Sequence, residues 1–140
     1  MSTLLGFDFG PRKIGVAVGQ SVTGTARPLT TLRSHNDRPD WPGIESLVRE
    51  WQPSAVVLGL PLGTDDIPVD WADRIYRFAR QIQGRFGLAV HLVDERLTSV
   101  EARRQIRATP GLRPTDHRRE DAVAAALILE TWLSEHPCDA

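Results

Sequence analysis

Apolar positions near the start of the chain come in short runs broken by turn residues, and further on they recur at helical spacing. Residues 4–9 (Leu-Leu-Gly-Phe-Asp-Phe), 14–18 (Ile-Gly-Val-Ala-Val) and roughly 24–32 read as three consecutive strands joined by short turns, the first turn holding Gly10 and Pro11. Short connections of this kind predict an antiparallel meander. The polar stretch 33–39 breaks the pattern and reads as a surface loop. Asp40 then stands where a helix cap belongs, ahead of Ile44, Leu47, Val48 and Trp51 at helical spacing, and Pro53 ends that helix.

The run 55–60 is continuously apolar, as in a strand buried on both faces of a parallel sheet, and Gly59, Leu60 and Pro61 terminate it. An acidic loop at 64–66 follows. Trp71, Ile75, Phe78, Ile82 and Phe86 then mark one stripe of a long amphipathic helix that closes near Gly87. Residues 88–93 read as a second buried strand. Thr98 and Glu101 form a Thr-x-x-Glu capping box for a helix running to about Ala108. Pro110, Gly111 and Pro114 interrupt, and a last helix spans about 115–134.

The order β-β-β-α-β-α-β-α-α predicts a three-layer α/β fold. Its five-stranded mixed sheet combines the three-strand antiparallel meander with two parallel strands. Without repeats or a composition break, residues 1–140 are expected to form one domain, and a chain of this length buries about 68% of its unfolded surface. Cys138 is the only cysteine, so an intrachain disulfide or a multi-cysteine metal site is excluded. No apolar run approaches the roughly 18 residues of a membrane span, and no basic segment followed by an apolar core opens the chain. A cytoplasmic location with no membrane partner is the resulting expectation.

A net charge of −1 rules out a generally basic coat but conceals a local patch. Between Arg96 and Arg119, seven arginines face two acids, leaving five positive charges in excess. On charge alone a solvated helix face is the simpler explanation of such a patch. Its position between two acidic motifs gives it a second meaning.

Open α/β sheets place their sites at the carboxyl ends of parallel strands. Asp8 is at the end of the first strand, Asp94 and Glu95 follow the last, and Asp121 lies within the terminal helix. Asp121 shares a helical face with Ala125, Ile128 and Trp132, the stripe expected to meet the sheet, and Ala122 and Ala124 to Ala126 are small enough for close approach. A carboxylate there loses hydration and requires a partner: an arginine, a hydrogen-bond network or a metal. Three converging carboxylates without a histidine or cysteine cluster suit a hard divalent cation, Mg²⁺ or Mn²⁺. Such ions serve phosphodiester hydrolysis, and the arginine patch would hold the phosphate backbone. Each acid also has a plain structural explanation. Asp8 can accept from the turn at Gly10, Glu95 can pair with Arg96 or Arg107, and Asp121 can neutralise Arg118.

Four segments together, Asp-Phe-Gly-Pro-Arg-Lys-Ile-Gly-Val-Ala, Val-Val-Leu-Gly-Leu-Pro-Leu, Asp-Glu-Arg-Leu-Thr-Ser and Asp-Ala-Val-Ala-Ala, resemble the YqgF family, also called RuvX, of pre-16S ribosomal RNA nucleases. The resemblance covers nearly the whole chain in order. It implies a ribonuclease H-like fold related to Holliday junction resolvases, a metal-dependent nuclease site on Asp8, Glu95 and Asp121, and trimming of the 5′ end of the small-subunit RNA precursor. Substrate binding is expected at Lys13, Arg96, Arg113 and Arg118. The chain departs from the family pattern at Pro11, at Lys13, where arginine is common, and at 63–66, where Gly-Thr-Asp-Asp replaces an Asn-x-Asp-Gly-like loop. Other functions are compatible with the same residues. They are resolution of four-way DNA junctions, which requires a symmetric dimer to cut two strands, and non-catalytic RNA binding in ribosome assembly. A sugar-kinase-like phosphotransferase would need a second such domain around its nucleotide cleft.

Overall fold

The computed structural model describes residues 3–10, 12–35, 38–60, 71–94 and 117–136. The strands are β1 (Thr3–Phe9), β2 (Lys13–Gln20), β3 (Thr25–Arg33), β4 (Ala55–Leu60) and β5 (Ala89–Asp94). Three helices accompany them among the described residues, α1 (Trp41–Trp51), α2 (Trp71–Phe86) and α3 (His117–Glu135). They build the expected five-stranded sheet in the order β3-β2-β1-β4-β5. β1, β2 and β3 pair antiparallel, while β4 runs parallel to both β1 and β5. The helix expected at 98–108 and the loop at 63–66 lie outside the described residues.

Alternation along the central strands sends side chains into two cores. Leu5, Phe7, Ile14, Val16, Val56 and Leu58 pack beneath α1 and α2 with Ile44, Ile75, Phe78 and Ile82. Leu4, Ala55, Val57 and Val93 face α3 through Ile128, Leu129 and Leu133. A continuous apolar run such as 55–60 is therefore the sequence of a strand feeding both cores. Phe78 stands against Phe7 edge-on at 5.9 Å, against Phe9 at 4.8 Å and against Trp41 at 5.5 Å. Aromatic pairs of this kind contribute about 0.5–1.5 kcal/mol each beyond the area they bury. They hold the end of β1 by its odd-numbered residues, which commits Asp8, between Phe7 and Phe9, to the α3 face.

Glycines set how closely α3 can lie. A Cβ at Gly6 would fall 2.9 Å from the Leu129 Cβ and 3.0 Å from the Ala125 carbonyl oxygen, and one at Gly19 would meet Leu129 at 2.8 Å. Gly10 answers to the turn instead: its N–H donates to the Lys13 carbonyl at 3.0 Å, and a Cβ there would come within 2.6 Å of that oxygen. The expected cap of α1 is present, with Asp40 Oδ1 accepting from the Gly43 N–H at 3.1 Å. α1 ends at Trp51, because Gln52 turns left-handed (φ 44°) before Pro53 while its N–H still reaches the Val48 carbonyl.

Two sequence expectations are corrected. β5 is an edge strand rather than a doubly buried one: of its described side chains only Val93 is buried, and Leu92 is 39% exposed. Apolar composition alone does not reveal which strand has a neighbour on one side only. The third strand runs to Arg33 rather than ending at Leu32, because pairing with Lys13 continues after the apolar residues stop.

Candidate active site

The parallel strands fix a common level at one end of the sheet. Phe7 pairs with Leu58, so the next residue along, Asp8, is level with Gly59, which pairs with Val93. One residue further, Leu60 pairs with Asp94. The carboxyl ends of β1, β4 and β5 therefore finish together, and Glu95 is the next residue after that edge. Asp8 is half-buried, and its neighbour across β2 is Gly15, which contributes no side chain beside it.

α3 approaches the same end from above. Leu133 and Leu129 lie over Gly19, which pairs with Leu4, while Leu129 and Ala125 lie over Gly6. The helix thus runs opposite to β1, with its N-terminus toward the carboxyl ends of the strands. Asp8 lies two residues beyond Gly6, about 6.6 Å along the strand, and Asp121 lies four before Ala125, about 6 Å along the helix. The two backbones thus bring Asp8 and Asp121 to the same level on one face. The positive end of the helix dipole lies there too, which favours carboxylates.

The predicted site residues are described to different extents. Asp8 is described in full, and Asp121 and Arg118 by the backbone of α3 alone. Glu95, Arg96 and Arg113 lie outside the described residues. Lys13 pairs with Arg33, and both share the sheet face of Asp8. Arg33 escaped the sequence reading, since a strand ended at its last apolar residue leaves a following arginine in the loop. Among the described residues no three His, Cys, Asp or Glu side chains gather to hold a metal. The donors the topology brings to this end are nonetheless carboxylate oxygens, the chemistry that Mg²⁺ and Mn²⁺ accept.

Arg85 covers the Trp41 ring at 4.3 Å and Arg27 the Trp51 ring at 5.4 Å, so these cations brace the α1 and α2 side. No helix among the described residues is long and apolar enough to cross a membrane.

Comparison with known proteins brings the arrangement into context. Residues 2–135 match a family model described as RuvX: Holliday junction resolvase. A protein of Azotobacter vinelandii named "Putative pre-16S rRNA nuclease" is 55% identical over 135 residues, covering 96% of this chain and 94% of the relative. A Pseudomonas aeruginosa protein of the same name is 52% identical, covering 96% and 93%. Among solved structures, Thermus thermophilus RuvC in complex with Holliday junction substrate superposes with a TM-score of 0.66 at 15% identity, covering 96% of this chain and 95% of the other. The fowlpox virus Holliday junction resolvase superposes with a TM-score of 0.55 at 13% identity, covering 95% and 99%. At such identities the structural likeness establishes the fold, which is the ribonuclease H-like fold of those resolvases.

Proposed function

The chain belongs to the RuvX family, and from that premise we propose that it is a divalent-metal-dependent nuclease that hydrolyses phosphodiester bonds at the 5′ end of pre-16S ribosomal RNA. The observation that carries the assignment to this part of the molecule is the shared level of Asp8 and Asp121 at the carboxyl ends of β1, β4 and β5. In this reading Asp8, Glu95 and Asp121 hold the metal, which is Mg²⁺ or Mn²⁺. When bound, such an ion activates water and stabilises the departing oxygen.

The chain's own residues supply the rest. Phe7 and Phe9 lock the end of β1 from the opposite face, so the Asp8 carboxylate needs little rearrangement on binding. Seated on Gly6 and Gly19, α3 brings Asp121 to the same level. Lys13, Arg96, Arg113 and Arg118 neutralise and orient the phosphates. Acting on a ribosomal RNA precursor places the enzyme in the cytoplasm.

The test is cleavage of a 5′-extended pre-16S transcript across a titration of Mg²⁺ and Mn²⁺, comparing wild type with Asp8→Asn. Metal-dependent cleavage lost in the variant is the expected result, and equal cleavage by both proteins would refute the assignment. The family description and the resolvase fold give one specific second reading, action on four-way DNA junctions. Matched RNA and junction substrates, assayed side by side, separate the two.

A further inference from the structure

The arginines predicted to bind substrate all follow residue 95 in the chain. On the β3 side of Asp8, the sheet register gathers a separate cationic group. Lys13 pairs with Arg33, the Ser34 N–H donates to the Arg12 carbonyl at 2.8 Å, and Arg38 is joined to His35 by two backbone hydrogen bonds of 3.0 and 2.9 Å. Arg12, Arg33 and Arg38 are thereby held by backbone ties on the β1–β2 turn and the segment leaving β3, at the same sheet end as Asp8. All three are exposed, and among the described residues none is paired with a carboxylate. The described acid nearest Arg38 in sequence, Asp40, spends its Oδ1 on the cap of α1. Among the described residues these three exposed arginines have no carboxylate partner, which leaves them available to an external anion.

We propose that Arg12, Arg33 and Arg38 form a phosphate-binding ridge that holds the sugar-phosphate backbone of the nucleic-acid substrate on the β3 side of Asp8. The inference rests on the nuclease reading and extends it to a surface outside the carboxylate site. Arg33 lies two strands across and two residues beyond Asp8, about 12 Å away at the usual strand spacing and rise. That distance spans about three to four nucleotides of a helical strand. A planar guanidinium grips phosphate oxygens through two parallel N–H donors without reading a base, so the ridge sets where the strand lies and not which sequence is cut.

The experiment measures binding of a 5′-extended pre-16S transcript to Asp8→Asn protein, in which turnover is blocked, between 50 and 200 mM salt. The same protein carrying R12A, R33A and R38A is compared with it, as is a control carrying R77A and R80A on the exposed side of α2. Three lost phosphate contacts lower the slope of log affinity against log salt by about 2.1 to 2.7, so the affinity ratio between the two salt concentrations shrinks about 20- to 40-fold. R33A alone should lower that slope by about 0.7 to 0.9, which covers the case of a poorly folded triple variant. An unchanged slope with cleavage intact in the Asp8-containing triple variant would overturn the ridge and leave the nuclease reading standing, as would an equal loss per arginine in the control. Failure of the wild type to bind or cleave the transcript would remove both.

Discussion

At the scale of single residues, the site depends on what is missing as much as on what is present. Gly6 faces the Leu129 Cβ and the Ala125 carbonyl, neither of which is the loose end of a flexible side chain. Gly6→Ala is therefore expected to destabilise the protein by about 1–3 kcal/mol, measured by denaturant titration, because overpacking of a tight contact must be relieved by moving backbone. It should also lower turnover beyond that loss of folded protein, since α3 carries Asp121. Asp8→Asn acts differently. Its side chain is only half-buried, so the fold should survive, while cleavage falls more than about 100-fold, given that even groups supporting a metal ligand cost 10–100-fold when lost.

Among the elements, α1 and α3 separate what was legible in the sequence from what was not. The cap at Asp40 was legible because a short acidic side chain ahead of a helical stripe has one common use, and Asp40→Ala should cost about 1 kcal/mol in the same titration. The stripe of α2 was legible for a similar reason: Ile75, Phe78 and Ile82 are buried where their spacing put them. α3 gives a weaker signal. Its stripe of Ala125, Ile128 and Trp132 does meet the sheet, but Ala122, Val123, Ala126, Leu127 and Leu129 are buried too, so its apolar residues go right round the helix and periodicity alone does not fix how it is seated. The contacts of Gly6 and Gly19 decide that, and a further tie from the Ala26 N–H to Glu130 Oε1 at 3.2 Å joins the helix to β3. The edge position of β5 was equally hidden, being a property of the sheet and not of the strand. Asp8 was legible as an acid at a strand end, but its level with Asp121 follows only from strand register and helix direction together. Leu129→Ala, at the point where those two meet, should cost about 2–5 kcal/mol.

For the molecule as a whole, the proposed metal should reveal itself without any substrate. A ligand that binds only the folded state adds stability that grows with its concentration, about 2.7 kcal/mol at one hundred times its Kd. Mn²⁺ or Mg²⁺ should thus raise the thermal midpoint of the wild type and leave that of Asp8→Asn nearly unmoved, while a chelator should abolish cleavage without unfolding a chain whose two cores need no ion. The seating of α3 has a last consequence, for the order in which heat removes activity and structure. At Gly6 the helix rests through its own Cβ and carbonyl atoms, with no softer layer there on which to slide, so the relation between Asp8 and Asp121 has no intermediate setting. Inactivation during a slow temperature ramp should then trace the same curve as the loss of circular dichroism, with no earlier phase in which the protein is still folded and already silent.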